Sequence, residues 1–361
     1  MKSISQLHQQ CLAGRDAVCN WLFSGALDLT YVVESAEWAV AEFGRGICKG
    51  LVNHKLMKAR VSRSLRLVRS RIRHFGSEHV ACGWLRRREH QRAQANVLTW
   101  FHVVPDYSRN AEIAAPRERF VRVHTSCQRT KNELVKMGFD EDKIRVIPLG
   151  INNKMLSIGF TDIRHELRRR LGITDDVVVV GSFQKDGVGW GEGLEPKLVK
   201  GPDVFADVVE ELAKKCKIHV LLVGPARGYV KHRLQAAGVP FTYLGYFRRY
   251  RDVWPWYSVL DVYLIASRIE GGPFSILEAW ASGVPVVSTR VGMVPDIATD
   301  RENALLADVE DRGTLVSNAL EVIENPDLRR KLTEAGRQEV CKYTFDVTAQ
   351  RYYHELYKEL L

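Results

Sequence analysis

The chain has 361 residues, 45% hydrophobic and 27% charged, which is the balance of a soluble globular protein long enough for two domains of ordinary size. Its seven cysteines (Cys11, Cys19, Cys48, Cys82, Cys127, Cys216 and Cys341) are scattered, odd in number and without a CxxC pair. That argues against a disulfide framework and a structural zinc site, and for reduced thiols in a cytoplasm. The formal charge of +10 is uneven: residues 1–150 hold 25 Lys+Arg and 14 Asp+Glu, the remainder 28 and 29.

Residues 1–25 read as a peripheral helix. The apolar part of 17–33 is interrupted by Asn20 and Asp28 and is too short to span a bilayer, and no secretory signal is visible. Leu27–Val33 reads as a first strand. Glu37–Leu51 reads as a helix with Trp38, Val40, Phe43 and Ile47 on one face.

From Lys55 to Arg92 there are 12 basic residues against Glu78 and Glu89. Arg60, Arg63, Arg66 and Arg69 recur at three-residue spacing, with Arg71 and Arg73 beyond. Part of this stretch is compatible with a basic amphipathic helix at an anionic membrane surface. A solvated helix face is the plainer reading. Nucleic acid ranks lowest, because no nucleic-acid-binding motif and no interleaved aromatics accompany the arginines.

Asn96–His102 reads as a strand ending in a histidine, with Asp106 nearby. Phe120–His124 is another strand, and Thr125 or Ser126 is placed to cap a helix that runs to Met137 and stops at Gly138. Asp140-Glu141-Asp142 has the D-x-D form of a divalent-cation site, but it sits in a short helix-to-strand loop where acidic residues are routine. A domain boundary falls near 150–172.

Beyond it, strands and helices alternate with short connections. The strands are Val177–Phe183, Ile218–Gly224, Phe241–Tyr246, Asp261–Ala266, Val284–Thr289 and Ala304–Leu306. Helices start near Pro202, Tyr229, Tyr250, Ser275 and Val294. This is a doubly wound α/β pattern with a mainly parallel sheet, whose ligands belong at the carboxyl ends of the strands. Three amphipathic helices close the chain.

The most informative stretch is Ala266–Pro285, ASRIEGGPFSILEAWASGVP. It reads as strand, glycine turn (Glu270-Gly271-Gly272-Pro273), helix, strand. Gly271 and Gly272 permit close backbone approach. The first N–H groups of the helix have no internal partner and sit at its positive pole, so an anion such as a diphosphate fits there. Glu270 and Glu278 bracket the turn. The plainer alternative for Ser275-x-x-Glu278 is a capping box. Lys200-Gly201-Pro202 opens an earlier helix, and Gly245-Tyr246-Phe247 ends a strand.

The whole string, Glu270-x7-Glu278 followed by Ala279, Ala281, Gly283, Pro285-Val286-Val287 and Gly292, resembles the donor-site signature of the retaining GT-B glycosyltransferases of family 4 (glycosyl transferases group 1). The resemblance runs through most of 120–361 and is weak before about residue 95. It implies two Rossmann-like α/β domains facing across a cleft: an N-terminal acceptor-binding domain (1–155, basic and shortened) and a nucleotide-sugar domain (156–345). A C-terminal helix (346–361) would pack back toward the N-domain. It implies transfer of a hexose from a UDP- or GDP-sugar to a saccharide or lipid-linked acceptor, with no metal and no cofactor.

Glu278 would hold the ribose, Glu270 the sugar hydroxyls, and Lys200 with the amides of Gly271, Gly272, Phe274 and Ser275 the diphosphate. Phe247 would lie at the base-binding turn, His102 would face the sugar from the end of an N-domain strand, and Ser126 would match a position where the family usually has serine. The family's arginine after the first strand glycine is missing: Gly181 is followed by Ser182, Phe183, Gln184 and Lys185 and a glycine-rich insert. Lys185 is the substitute candidate. A catalytically silent domain of this fold, used as a binding or scaffold protein, and an epimerase remain alternatives. The implied location is cytoplasmic, with peripheral attachment to the inner membrane face through 55–92.

Overall fold

The computed structural model describes residues 4–34, 39–86, 95–105 and 107–361. Glu37, Trp38, the basic residues Arg87, Arg88 and Arg92, and Asp106 lie outside the described residues. Two compact units divide the chain: residues 1–152 with 343–361, and residues 153–342.

The first unit holds β1 (Leu29–Val32), β2 (Ala59–Ser62), β3 (Ile72–Phe75), β4 (Ala95–Thr99), β5 (Arg122–Thr125) and β6 (Ile144–Val146). They form one parallel sheet in the order β2-β1-β3-β4-β5-β6. Around it run α1 (Ile4–Phe23), α2 (Ala39–Asn53), α3 (Glu78–Leu85), α4 (Arg109–Ala114) and α5 (Gln128–Lys136).

Residues 54–77 hold no helix. Arg60 falls on β2, Arg73 on β3, and Arg63, Arg66, Arg69 and Arg71 on the loop between them, because pairing with β1 on both sides overrides the local periodicity. Asp16 of α1, nearly fully buried, lies 3.8 Å from Arg60 and 3.5 Å from Arg63. Arg73 turns inward: its Nε and Nη2 donate to Asn96 Oδ1, and its guanidinium lies 5.0 Å from the Trp84 ring. The helix after β5 is capped by Cys127, whose Sγ accepts from Thr130 N–H, rather than by Thr125 or Ser126. The Ser126 hydroxyl is buried, with no hydrogen-bond partner among the described residues. The strand ahead of His102 stops at Thr99, which leaves the histidine three residues out in a loop.

The second unit holds β7 (Val178–Phe183), β8 (Ile218–Val223), β9 (Phe241–Tyr243), β10 (Val262–Ile265), β11 (Val286–Thr289) and β12 (Leu305–Ala307). They are parallel, in the order β12-β11-β10-β7-β8-β9. Its helices are α6 (Phe160–Arg170), α7 (Pro202–Ala213), α8 (Gly228–Ala236), α9 (Trp254–Tyr257), α10 (Phe274–Ala281), α11 (Val294–Ile297), α12 (Arg312–Glu324) and α13 (Pro326–Val340). Val204, Val208 and Leu212 of α7 and Leu315 of α12 join Val220, Leu222, Leu264 and Val287 of the sheet in one buried core. Near-continuous apolar strands of this kind are what a sheet covered on both faces requires.

After α13 the chain re-enters the first unit as α14 (Phe345–Tyr352), followed by a π-helical turn over Tyr353–Tyr357. α14 lies close against α2 because two glycines face it. A Cβ at Gly46 would come within 2.3 Å of the Phe345 ring, and one at Gly50 within 2.6 Å of the Ala349 Cβ.

The tyrosines of this terminal stretch reach a buried polar chain under the sheet. Tyr357 Oη lies 2.5 Å from His74 Nδ1, His74 Nε2 lies 2.7 Å from Thr99 Oγ1, and Thr99 Oγ1 lies 3.0 Å from His124 Nδ1. His124 Nε2 lies 2.9 Å from the Ile147 carbonyl, so Nε2 carries the proton, and Nδ1 accepts from the Tyr352 hydroxyl at 2.8 Å. Burial, with the Arg351 charge, pushes the His124 imidazole down to about 3, and burial beside His124 holds His74 well below its ordinary value. Both rings are therefore neutral in the fold, whereas the unfolded chain protonates them below about pH 6.5. Their contribution to stability is complete above that pH and is lost as the pH falls toward 3. Denaturant midpoints for the first unit will decline from pH 7 to pH 4, and His124→Gln will flatten that decline. An equal slope in the variant would contradict this assignment.

Candidate functional site

The strand order of the second unit reverses between β7 and β10. Connections leave these two neighbours in opposite directions, which opens a crevice at their carboxyl ends. The loop after β7 delivers Lys200 there, and the loop after β10 delivers Glu270. Lys200 Nζ donates to Glu270 Oε2 at 2.6 Å, with side chains 18% and 9% exposed, and Ser267 Oγ donates to Glu270 Oε1 at 3.1 Å.

Lys200 is fixed by its backbone. Arg268 and Ile269 N–H both donate to the Val199 carbonyl, and Gln184 Nε2 donates to the Lys200 carbonyl. Gly201 takes a left-handed conformation (φ 60°), and a Cβ there would fall 1.9 Å from the Ala266 carbonyl oxygen. Glycine alone allows the two loops this approach. Arg268 then clamps the pair by a bidentate contact to Asp203 of α7, at 2.7 and 2.6 Å.

α10 begins at Phe274 with Pro273 as N-cap and no side-chain cap. Ser275 therefore sits inside the helix, and the capping-box alternative falls away. Glu278 is one turn further on and only 4% exposed. It accepts from Tyr257 Oη at 2.8 Å. Burial and the Glu278 charge raise the Tyr257 phenol well above its ordinary value, so it stays a donor. Tyr257 packs on Phe183, ring centroids 4.6 Å apart, and on Tyr263 at 5.5 Å. Gly271 is buried and Gly272, Phe274 and Ser275 are partly exposed along the turn and first helical residues. Gly292 braces that turn: a Cβ there would sit 2.6 Å from the Gly271 carbonyl oxygen.

Gly181 lies inside β7, where the space for its side chain is filled by Leu260, 2.3 Å from its ideal Cβ. Lys185 lies past the end of β7 with Nζ 4.4 Å from the Trp190 ring centroid, and burial lowers its ammonium below the ordinary value. Among the described residues no carboxylate pairs with it. Phe247 follows β9 and packs near Trp256, centroids 6.5 Å apart.

Sequence reasoning missed Arg227, the residue before α8. It is fully buried, its Nε 2.9 Å from Asp186 Oδ1, and its Nη1 donates to the carbonyls of Ser182, Gln184 and Val223. Burial pushes the Asp186 carboxyl up and Arg227 opposes it. Tyr257 was missed as well, because a tyrosine next to tryptophans reads as core.

The first unit has its own reversal, between β1 and β3, and a polar cluster stands there too. Ser77 Oγ donates to Glu34 Oε1 at 2.8 Å, joining the ends of the two strands. Glu78 pairs with His79 at 3.0 Å. Burial alone would raise the Glu78 carboxyl, but the hydrogen bond and charge of His79, with the charge of His102, hold it below its ordinary value. The His79 ring stacks on Tyr107 at 6.3 Å. His102 is thus brought near Glu78 rather than to the end of a strand. Glu34 and Ser77–His79 carry no motif of their own. Asp140 caps the short turn at 141–143 through Asp142 N–H, which accounts for that acidic run locally.

Residues 191–325 match the model of the family described as glycosyl transferases group 1. The chain is 27% identical over 231 residues to D-inositol 3-phosphate glycosyltransferase of Corynebacterium jeikeium, covering 60% of this chain and 52% of that one. It thus spans about half the length of that relative. In solved structures it is similar to Anabaena HepE in complex with UDP-glucose (TM-score 0.72, 17% identity, covering 92% and 100% of the two chains). It is also similar to sucrose-phosphate synthase of Thermosynechococcus elongatus (TM-score 0.73, 17% identity, covering 92% and 98%). The architecture is the two-domain α/β GT-B fold.

Gly201 and Gly238 both have positive φ, at 60° and 66°, but nothing lies within 4 Å of a Cβ at Gly238. Gly238→Ala will cost only the left-handed strain of about 1–2 kcal/mol. Gly201→Ala will add overpacking of roughly 1–3 kcal/mol and so lower the second unit's Tm by several degrees more. Equal Tm losses would show that the Lys200 loop is not held by this contact.

Proposed function

We propose that the chain is a retaining hexosyltransferase that moves a sugar from a nucleoside diphosphate sugar to a hydroxyl of a saccharide or lipid-linked acceptor, without a metal ion. The observation that carries this reading is the convergence of Lys200, Glu270 and buried Glu278 on a glycine turn and helix N-terminus at the β7/β10 reversal. That constellation offers a cation and amide donors to a diphosphate, and carboxylates to hydroxyls on either side of it. The family match over 191–325 and the UDP-glucose bound by HepE support the same donor class.

Glu278, held by Tyr257, would accept from the ribose, and Glu270 from the sugar. Lys200 and the amides of Gly271, Gly272, Phe274 and Ser275 would stabilise the departing diphosphate, with Lys185 in place of the family's arginine. The anomeric carbon–oxygen bond breaks, the acceptor oxygen bonds on the same face, and its proton passes to the leaving phosphate oxygen. The acceptor belongs to the cluster of Glu34, Glu78, His79 and His102, whose carboxylates and Tyr107 face suit a polyhydroxyl compound.

A UDP, GDP and ADP panel with EDTA tests the donor. At 100 times Kd a ligand stabilises the native state by about 2.7 kcal/mol. One nucleotide should raise Tm by several degrees in wild type and not in Glu278→Ala. A shift that requires added metal, or none at all, would sink the reading.

Attachment to an anionic membrane surface is the second part of the proposal. Val18, Trp21, Leu22 and Phe23 at the end of α1 are each more than half exposed, as is Leu67. Asn20 ties this end to the Ser64 and Arg66 carbonyls, so the apolar tip stands beside the arginine loop. Apolar anchors flanked by arginines suit the headgroup boundary. No helix among the described residues is long and apolar enough to cross a membrane. Sedimentation with phosphatidylglycerol vesicles should carry the wild type down at low salt and leave the double variant Trp21→Glu, Phe23→Glu in the supernatant. Equal sedimentation of both would remove this surface from the account.

A further inference from the structure

The 184–197 insert is a built hairpin. Gly187 and Pro196 form a bridge, Val188 N–H donates to the Glu195 carbonyl, and Lys197 N–H donates to the Asp186 carbonyl. Its tip is tied to α8, whose Gly228 and Tyr229 N–H groups donate to the Glu192 and Gly193 carbonyls at 2.7 and 2.8 Å. The buried Asp186–Arg227 pair anchors its base.

This frame holds a tryptophan in the open. Trp190 is 55% exposed, and Tyr246, 45% exposed, meets it edge to face with centroids 6.4 Å apart. Lys185 lies against the Trp190 ring. The carboxyl ends of β10, β7, β8 and β9 are successive neighbours, about 4.8 Å apart. The Lys200–Glu270 pair stands at the β10/β7 end of that row. Tyr246 stands past β9, and the hairpin is tied down beside β8. A nucleoside diphosphate with its phosphates at Lys200 and Lys185, extended along the row, brings its base to Trp190 and Tyr246.

We infer that Trp190 is a stacking residue for the base of the nucleotide, presented by the hairpin beside Tyr246. This rests on the donor reading above and adds to it a residue that discriminates a nucleotide from a bare phosphate. A flat aromatic face recognises any base through its π surface, so the contribution is to affinity for the class.

Calorimetric titration of UDP, GDP, ADP and pyrophosphate into wild type, Trp190→Ala and Trp190→Phe tests it. Loss of one stacked base corresponds to roughly 5–150-fold weaker binding. Trp190→Ala should lose that much for the preferred nucleotide while keeping wild-type affinity for pyrophosphate and wild-type Tm, and Trp190→Phe should recover most of the loss. Wild-type nucleotide affinity in Trp190→Ala would overturn the inference. So would an equal loss for pyrophosphate, which would make Trp190 a support for Lys185. If wild type binds no nucleotide, the donor reading itself fails, and that outcome is separate from the other two.

Discussion

A parallel sheet ends all its strands on one edge, and the connections that leave that edge crowd each other wherever they turn the same way. Only where the strand order reverses do neighbouring connections part and leave room. Both units of this chain obey that constraint, at β1/β3 and at β7/β10. At each reversal the loops carry charged and polar side chains that meet across the gap: Glu34 with Ser77, and Glu270 with Lys200. The chemistry proposed for each unit therefore follows from topology first and residue identity second.

The Lys200–Glu270 contact also sets terms for any anion that arrives. The ammonium is already neutralised by a carboxylate in a largely buried place, so a diphosphate must compete with that carboxylate. In return the proposed donor would free Glu270 for its hydroxyl groups. Lys185 differs, since it lies against the Trp190 ring with no carboxylate paired to it among the described residues, and burial lowers its ammonium below the ordinary value. The two lysines thus differ in kind: one is already paired with a carboxylate, and the other lies against an aromatic ring.

Much of this was legible in the sequence. Apolar runs separated by short connections placed all six strands of the second unit, and the glycine turn after the fourth of them falls at the β7/β10 reversal. The failures have physical causes. Arginine spacing between Arg60 and Arg73 suggested a helix, but β1 has two open edges, and long-range pairing there outweighs a weak local period. The alternative of a capping box at Ser275 fails by two residues, because Pro273 is the N-cap and commits Phe274 to the helix. Cys127 was overlooked as a cap, since a thiol is a poor acceptor and Ser126 beside it is a good one. Arg227 and Tyr257 carry no signal, because their roles depend on partners 41 and 21 positions away along the chain.

The Asp186–Arg227 pair has a consequence for descent and for engineering. Removing one member of a buried ion pair costs about 3–5 kcal/mol, because the other charge is left stranded in a dry place. Positions 186 and 227 must therefore change together or not at all, although one belongs to an insert and the other to the helix junction that receives it. The hairpin is in this sense not a portable loop. Grafted onto a related scaffold without its arginine, it would bury a lone carboxylate. Deleted from this chain, it would strand a guanidinium against the carbonyls of Ser182 and Val223 alone.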